Sequence, residues 1–189
     1  MKKRLFIAIK IELNERNRKF IKNLKSKFGN EKIKWVEFDN IHLTLKFLGE
    51  TDVNLIPSIK NALKNVVAKF PEFSINLKGL GIFKNFSNPR VLWIGLEKSE
   101  ILKEIFNEIE NSMELIGFKK ENRDFNPHVT LARIKRINNL KAFVKLILDE
   151  AKKEFQEIKV KELILMESIL RKEGPKYIEL EKFALLQNS

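Results

Sequence analysis

The chain has two histidines, and each stands two residues before a threonine: Ile41-His42-Leu43-Thr44-Leu45 and Pro127-His128-Val129-Thr130-Leu131. In a β-strand residues i and i+2 share a face. His42 and Thr44 therefore project one way and Leu43 and Leu45 the other, and the second run divides likewise. Imidazole gives or takes a proton near neutrality, and two imidazoles can serve as acid and base on opposite sides of one reacting atom. Threonine hydroxyls donate hydrogen bonds to phosphate oxygens without a metal. Two copies of the pattern, set side by side, predict a symmetric phosphate clamp with two proton-transfer groups.

A single histidine in a strand is ordinarily structural, and threonine is a good strand former. It is the occurrence of both histidines in one four-residue pattern that argues for catalysis. A zinc site would need a third ligand at fixed spacing, for which Asp39, Glu50 and Asp124 are only loose candidates. No metal is expected. The absence of cysteine excludes a disulfide framework, a thiol nucleophile and a cysteine metal site.

The 189 residues, 43% of them hydrophobic, suffice for one domain, or for two small lobes sharing a core. A formal net charge of +12 favours a polyanionic partner, although runs such as Lys22 to Lys27 and Lys119-Lys120 read first as solvated faces. No apolar run approaches the roughly 18 residues of a membrane span, and Lys10 and Glu12 end the N-terminal apolar run too early for a signal peptide. A cytoplasmic location and a monomer are expected.

The elements that must position the histidines follow from periodicity. Leu5 to Ile9 reads as a strand. A helix capped by Asn14 and closed by Gly29 carries Phe20, Ile21, Leu24 and Phe28. Ile33 to Val36 is a short strand, and the first histidine strand runs from Ile41 to Leu48, where Gly49 is expected to break it. A helix from Leu55 to Lys69 follows, with Pro57 in its first turn. Strands over Phe73 to Leu80 and Arg90 to Leu96 precede a helix from Ser99 to Gly117, with Leu102, Ile105, Phe106, Ile109 and Met113 as its apolar positions. The second histidine strand spans Phe125 to Ile134. Leu140, Phe143, Val144, Ile147, Leu148 and Ala151 mark a fourth helix, and strand runs over Ile158 to Leu170 and Lys176 to Leu185 meet at a Gly174-Pro175 turn. Each half has a helix before and after its histidine strand, which predicts two similar lobes facing each other across a pseudo-twofold axis, with a ligand cleft between them.

Three segments also carry a resemblance: His42-Leu43-Thr44-Leu45-Lys46-Phe47-Leu48-Gly49-Glu50, Pro89-Arg90-Val91-Leu92-Trp93, and Pro127-His128-Val129-Thr130-Leu131-Ala132-Arg133. Together they resemble the two-histidine phosphoesterase superfamily and, more narrowly, the archaeal and bacterial 2′-5′ RNA ligase family, whose members act as RNA 2′,3′-cyclic phosphodiesterases. The opening Arg4 to Ile9 strand and the closing Gly174-Pro175-Lys176-Tyr177 segment fit as well, so the likeness runs almost end to end.

The resemblance implies an α+β fold, bilobal, with two pseudo-symmetric lobes of mainly antiparallel sheet, helices packed outside and the active site in a basic cleft. It implies hydrolysis of a terminal 2′,3′-cyclic phosphate to a 2′-phosphate, with 2′-5′ ligation as a related reaction and no metal or nucleotide cofactor. By resemblance His42 is the proton donor and His128 the proton acceptor; pseudo-symmetry alone leaves the roles exchangeable. Thr44 and Thr130 hold the non-bridging oxygens. Arg133 belongs to the family-like run and is a phosphate-binding candidate, yet it stands five residues after His128. A regular strand would point it away, so a bulge or a strand end is needed to turn it inward. Arg90 is a second candidate, equally well read as the solvated start of a strand. Trp35, Phe47, Phe86, Phe125 and Tyr177 could stack a base, against a core role for most aromatics. The expected partner is RNA ending in a 2′,3′-cyclic phosphate, tRNA fragments included. The alternatives are a phosphodiesterase for a small cyclic nucleotide and a non-catalytic RNA-binding module.

Overall fold

The structure, a computed structural model, describes residues 1–122, 124–171 and 174–187. Among the described residues nine strands and four α-helices follow one another: β1 Lys2–Lys10, α1 Glu15–Lys27, β2 Lys32–Trp35, β3 His42–Asp52, α2 Ile56–Val67, β4 Phe73–Phe83, β5 Val91–Leu96, α3 Glu100–Leu115, β6 His128–Arg136, α4 Leu140–Asp149, β7 Glu154–Val160, β8 Glu162–Leu170 and β9 Pro175–Ala184. All the strand pairings are antiparallel, in the order β7-β4-β5-β6-β3-β1-β8-β9, with β2 on the second part of β6. The fold is the expected α+β arrangement.

The two histidine strands are neighbours at the middle of this order, with three further strands on either side. They are joined by one paired position, Leu43 opposite Val129. Beyond it β6 turns from β3 to β2, whose Trp35 pairs with Ala132. Two wings thus meet at one bridge. Their members are interleaved in sequence: β3 lies with β1, β8 and β9, whereas β6 lies with β5, β4 and β7.

Helices cover the face that carries Leu43, Leu45, Val129 and Leu131, all buried in one continuous core. Helices α2 and α3 pack together over the β3 wing. Helix α1 reaches the other wing, where Phe20 meets Phe155 of β7 and Phe28 meets Phe143 of α4. Local chemistry sets the helix ends: the side chains of Asn14, Ser99 and Asn139 accept from the backbone N–H three residues on, satisfying donors that a helix start leaves free. Among the described residues no helix is long and apolar enough to cross a membrane.

Several expected boundaries are corrected. Gly49 does not break the first histidine strand. It takes φ +70° beside a register shift in which Leu48 is the extra residue, and the strand continues to Asp52; a left-handed residue at a bulge lets a strand bend without stopping. The run from Ile158 to Leu170 is two strands in opposite wings, β7 against β4 and β8 against β1. The second histidine strand begins at His128, because Asn126-Pro127 is extended lead-in. In α4 the inward stripe passes through Phe143, Leu146 and Ile147, while Leu148 is 58% exposed.

Candidate active site

Counting outward from the Leu43–Val129 bridge places His42 opposite Thr130 and Thr44 opposite His128. Side chains directly opposite in an antiparallel pair stand about 5 Å apart at Cβ. The four residues singled out by the sequence therefore form one patch on the sheet face that the helices leave uncovered.

Each imidazole is fixed by the main chain just before it. His42 Nδ1 donates to the Asn40 carbonyl at 2.7 Å, and His128 Nδ1 donates to the Asn126 carbonyl at 2.9 Å. Asn40 ends a short 3-10 turn, Phe38–Asn40, which aims its carbonyl at the ring. A carbonyl only accepts, so in both neutral rings the proton sits on Nδ1, leaving the Nε2 lone pair to act as base or to carry a second proton as acid. Two aromatic walls hold the rings in place. His42 packs edge-on to Tyr177 at 5.0 Å and beside Phe6 at 5.1 Å. His128 packs edge-on to Phe83 at 4.6 Å and beside Trp93 at 6.4 Å. The Trp93 indole lies across its strand partner Gly81, where any side chain would collide with it, and beside Gly95, where a side chain would collide with the Lys78 carbonyl.

Burial among these rings lowers the pKa of both histidines from the ordinary imidazole value; for His42 the positive charges of His128 and Arg133 lower it further. The carbonyl bonds from Asn40 and Asn126 act in the opposite direction without cancelling burial. Tyr177 is raised by burial, against the pull of Arg133 and Arg4.

Arg133 reaches the same face by the irregularity that the sequence reading required. Leu92 pairs with Ala132 and Trp93 with Thr130, so Leu131 is an extra residue that flips the alternation. Val91 and Trp93 share a face, and Val91 is the partner of Arg133, which places Arg133 beside Thr130. The same device occurs in β3: Ile7 pairs with Lys46 and Ala8 with Thr44, leaving Leu45 over. Among the described residues the guanidinium of Arg133 and the hydroxyls of Thr44 and Thr130 have no hydrogen-bond or ion-pair partner, so their donors are free for a ligand.

Arg90 lies elsewhere. Its guanidinium donates to the Lys135 carbonyl at 3.3 Å, far along β6 from His128. Of the stacking candidates, Tyr177 is in the site and Phe47 is 60% exposed on the His42 face, 6.0 Å from Phe6. Phe125 instead stacks on Phe106 at 4.1 Å, Trp35 packs against the core, and Phe86 is exposed beyond β4. Phe6, Phe83 and Trp93 were not foreseen. They come from strands far apart in sequence, and only the cross-strand register brings them to the histidines. Among the described residues no three His, Cys, Asp or Glu side chains are grouped so as to hold a metal ion.

Comparison with known proteins agrees with this geometry. The family model described as LigT like Phosphoesterase matches residues 7–93 and again residues 94–177, each match containing one histidine motif. A protein of Aeropyrum pernix named RNA 2′,3′-cyclic phosphodiesterase is 39% identical over 146 residues, 77% of this chain and 82% of that one. One of the same name from Archaeoglobus fulgidus is 33% identical over 182 residues, 95% and 99% of the two chains. The crystal structure of TT0787 of Thermus thermophilus superposes with a TM-score of 0.80 at 28% identity, covering 98% of this chain and 100% of that one. With the family model matched through both histidine motifs and relatives aligned over most of their length, the chain belongs to the LigT-like phosphoesterase family.

Proposed function

We infer that the chain is an RNA 2′,3′-cyclic phosphodiesterase in which His42 and His128 are the proton donor and the proton acceptor. The observation that carries this reading is the matched pair of imidazoles on one sheet face, each with Nδ1 tied to a carbonyl and Nε2 without a hydrogen-bond partner among the described residues. Relatives bearing that enzyme name over most of this chain's length support the substrate class.

In the proposed reaction a water oxygen attacks phosphorus and gives a proton to His128 Nε2. The bond from phosphorus to the 3′ oxygen breaks, and His42 Nε2–H protonates that oxygen. The product is a 3′-hydroxyl with a 2′-phosphate. Thr44, Thr130 and Arg133 donate to the non-bridging oxygens, where positioned donors stabilise the transition state. Strain in the five-membered ring already raises the substrate. A 5′-hydroxyl in place of water would give a 2′-5′ linkage by the same displacement.

One observation favours exchanged roles. His42 is the more deeply buried ring and also feels the charge of Arg133, and so resists a proton more than His128 does. A phosphate oxygen bound to Arg133 would offset that charge, and with it present His42 can serve as the acid.

The reading extends to RNA ends that include tRNA fragments, processed by a monomer in the cytoplasm. It is tested by incubating the protein with an oligoribonucleotide ending in a 2′,3′-cyclic phosphate and identifying the new end. A 2′-phosphate is expected. A 3′-phosphate, or turnover confined to a mononucleotide, would contradict it.

A further inference from the structure

The bulge at Leu45 has a second effect: it turns Lys46, only four residues past His42, away from the site and into the protein. Lys46 is 2% exposed and meets Glu110 of α3, itself 5% exposed. Lys46 Nζ donates to both carboxylate oxygens at 2.7 Å and to the Lys119 carbonyl at 2.9 Å. The Glu121 backbone N–H donates to Glu110 Oε2 at 3.0 Å. The pair thus grips the segment between α3 and β6 at two backbone groups. One turn earlier on α3, Phe106 stacks on Phe125 of that same segment, with the rings 13° from parallel. The next residue, Asn126, supplies the carbonyl that holds His128.

A buried ion pair is weak evidence of stabilisation, because apolar side chains of similar volume usually serve stability as well or better. Here every donor and acceptor is committed to a link between two elements. One is the strand of His42 and the other is the lead-in to His128. We propose that Lys46 and Glu110 are positioning residues, which set the placement of His128 against His42 by clamping the segment before β6 to strand β3. The inference rests on the phosphodiesterase reading for its effect on turnover, but its effect on the histidines can be read without substrate.

The test uses two double variants, K46M/E110L and K46M/E110Q. Either single change would leave a buried charge unpaired and endanger folding, whereas the doubles remove both charges. In K46M/E110Q the amide oxygen can still accept from Glu121; in K46M/E110L nothing can. With only two histidines in the chain, both imidazole titrations are resolved by NMR, and kcat and KM on the cyclic-phosphate RNA are measured well below Tm. The expected result is a folded K46M/E110L protein whose His128 titration is displaced and whose kcat falls by about 10–100-fold, as misplacement of around 1 Å would produce, while KM changes little. K46M/E110Q keeps an acceptor for Glu121 but, like K46M/E110L, lacks the link to β3, so it should recover only a minor part of that loss.

Wild-type titrations and kcat in a folded K46M/E110L protein would overturn the proposal, leaving the pair as a structural brace alone. Losses of kcat in the two doubles that merely track their Tm would overturn it too. If the wild-type protein does not turn over the RNA, the phosphodiesterase reading fails, and the titrations alone decide the positioning claim.

Discussion

Phe47 and Arg133 occupy matching places in the two wings, each five residues beyond a site histidine and each turned onto that histidine's face by a buried extra leucine, Leu45 in β3 and Leu131 in β6. The wings repeat the backbone device and differ in the side chain it delivers. One side of the site receives an exposed aromatic ring and the other a free guanidinium, so a nearly symmetric clamp has a direction.

Arg133 is therefore expected to bind phosphate by its planar fork as well as its charge. Arg133→Ala should lower kcat/KM by about 10²–10³-fold, the range found for a lost transition-state donor. Arg133→Lys should recover only part of it. Steady-state kinetics on a cyclic-phosphate RNA checks this, with Tm unchanged as the control for folding.

The two threonines should behave alike. Thr44→Val and Thr130→Val keep the shape and remove a hydroxyl that has no partner among the described residues, so each should cost about 10²-fold in kcat with little change in Tm. A fall in Tm without a fall in kcat would assign them to the fold instead.

The pH dependence follows from the direction of both shifts. The proposed reaction needs one imidazole charged and the other neutral, and burial lowers both from 6.5. The bell in kcat/KM, which reports the unliganded protein, should therefore peak below pH 6.5 and decline through neutrality. Its apparent values belong to the coupled pair. A maximum above pH 7 would contradict the lowered values.

The same shifts bear on stability. A histidine whose folded pKa lies below its unfolded one binds fewer protons when folded, so unfolding takes up protons between the two values. The stability is complete above the ordinary imidazole value and is lost as pH falls toward the folded values. Thermal melts between pH 6.5 and 5 should show wild type losing stability faster than His42→Asn or His128→Asn.

Trp93 gives a test remote from the chemistry. Gly81→Ala would place a methyl group into the indole, and relieving such overpacking costs about 1–3 kcal/mol. The displaced indole would carry Phe83 and His128 with it. Lower stability together with a changed His128 titration is expected. A change in Tm with no change at His128 would separate the wall from the site.

Much of the site was legible in the sequence because a period of two, read around each histidine, is a local property. His42 with Thr44, and His128 with Thr130, needed only strand geometry. The orientation of Arg133 did not follow from that rule, since the leucine that breaks the alternation looks like any other buried strand leucine. Gly49 was misread for a related reason: a glycine that ends a strand and one that bends it at a bulge are the same residue, and the partner strand decides between them. The boundary near Lys161 was hidden because no glycine, proline or asparagine marks it: one lysine separates β7 from β8 as the chain passes from one wing to the other. The aromatic walls and the Lys46–Glu110 link join positions far apart in sequence, and no periodicity encodes them.

In the proposed reaction two imidazoles move the protons, His128 taking one from the attacking water and His42 giving one to the departing 3′ oxygen. Wild type, His42→Ala and His128→Ala should be incubated with EDTA and a short RNA ending in a 2′,3′-cyclic phosphate, and the end group read by phosphatase sensitivity and by chromatography against 2′- and 3′-phosphate standards. Conversion to the 2′-phosphate by wild type is expected, with a loss of about 10²–10⁴-fold in each variant, the span of general acid or base catalysis. Undiminished turnover in either variant would contradict it, as would retained, salt-sensitive RNA binding by all three proteins with no conversion by any.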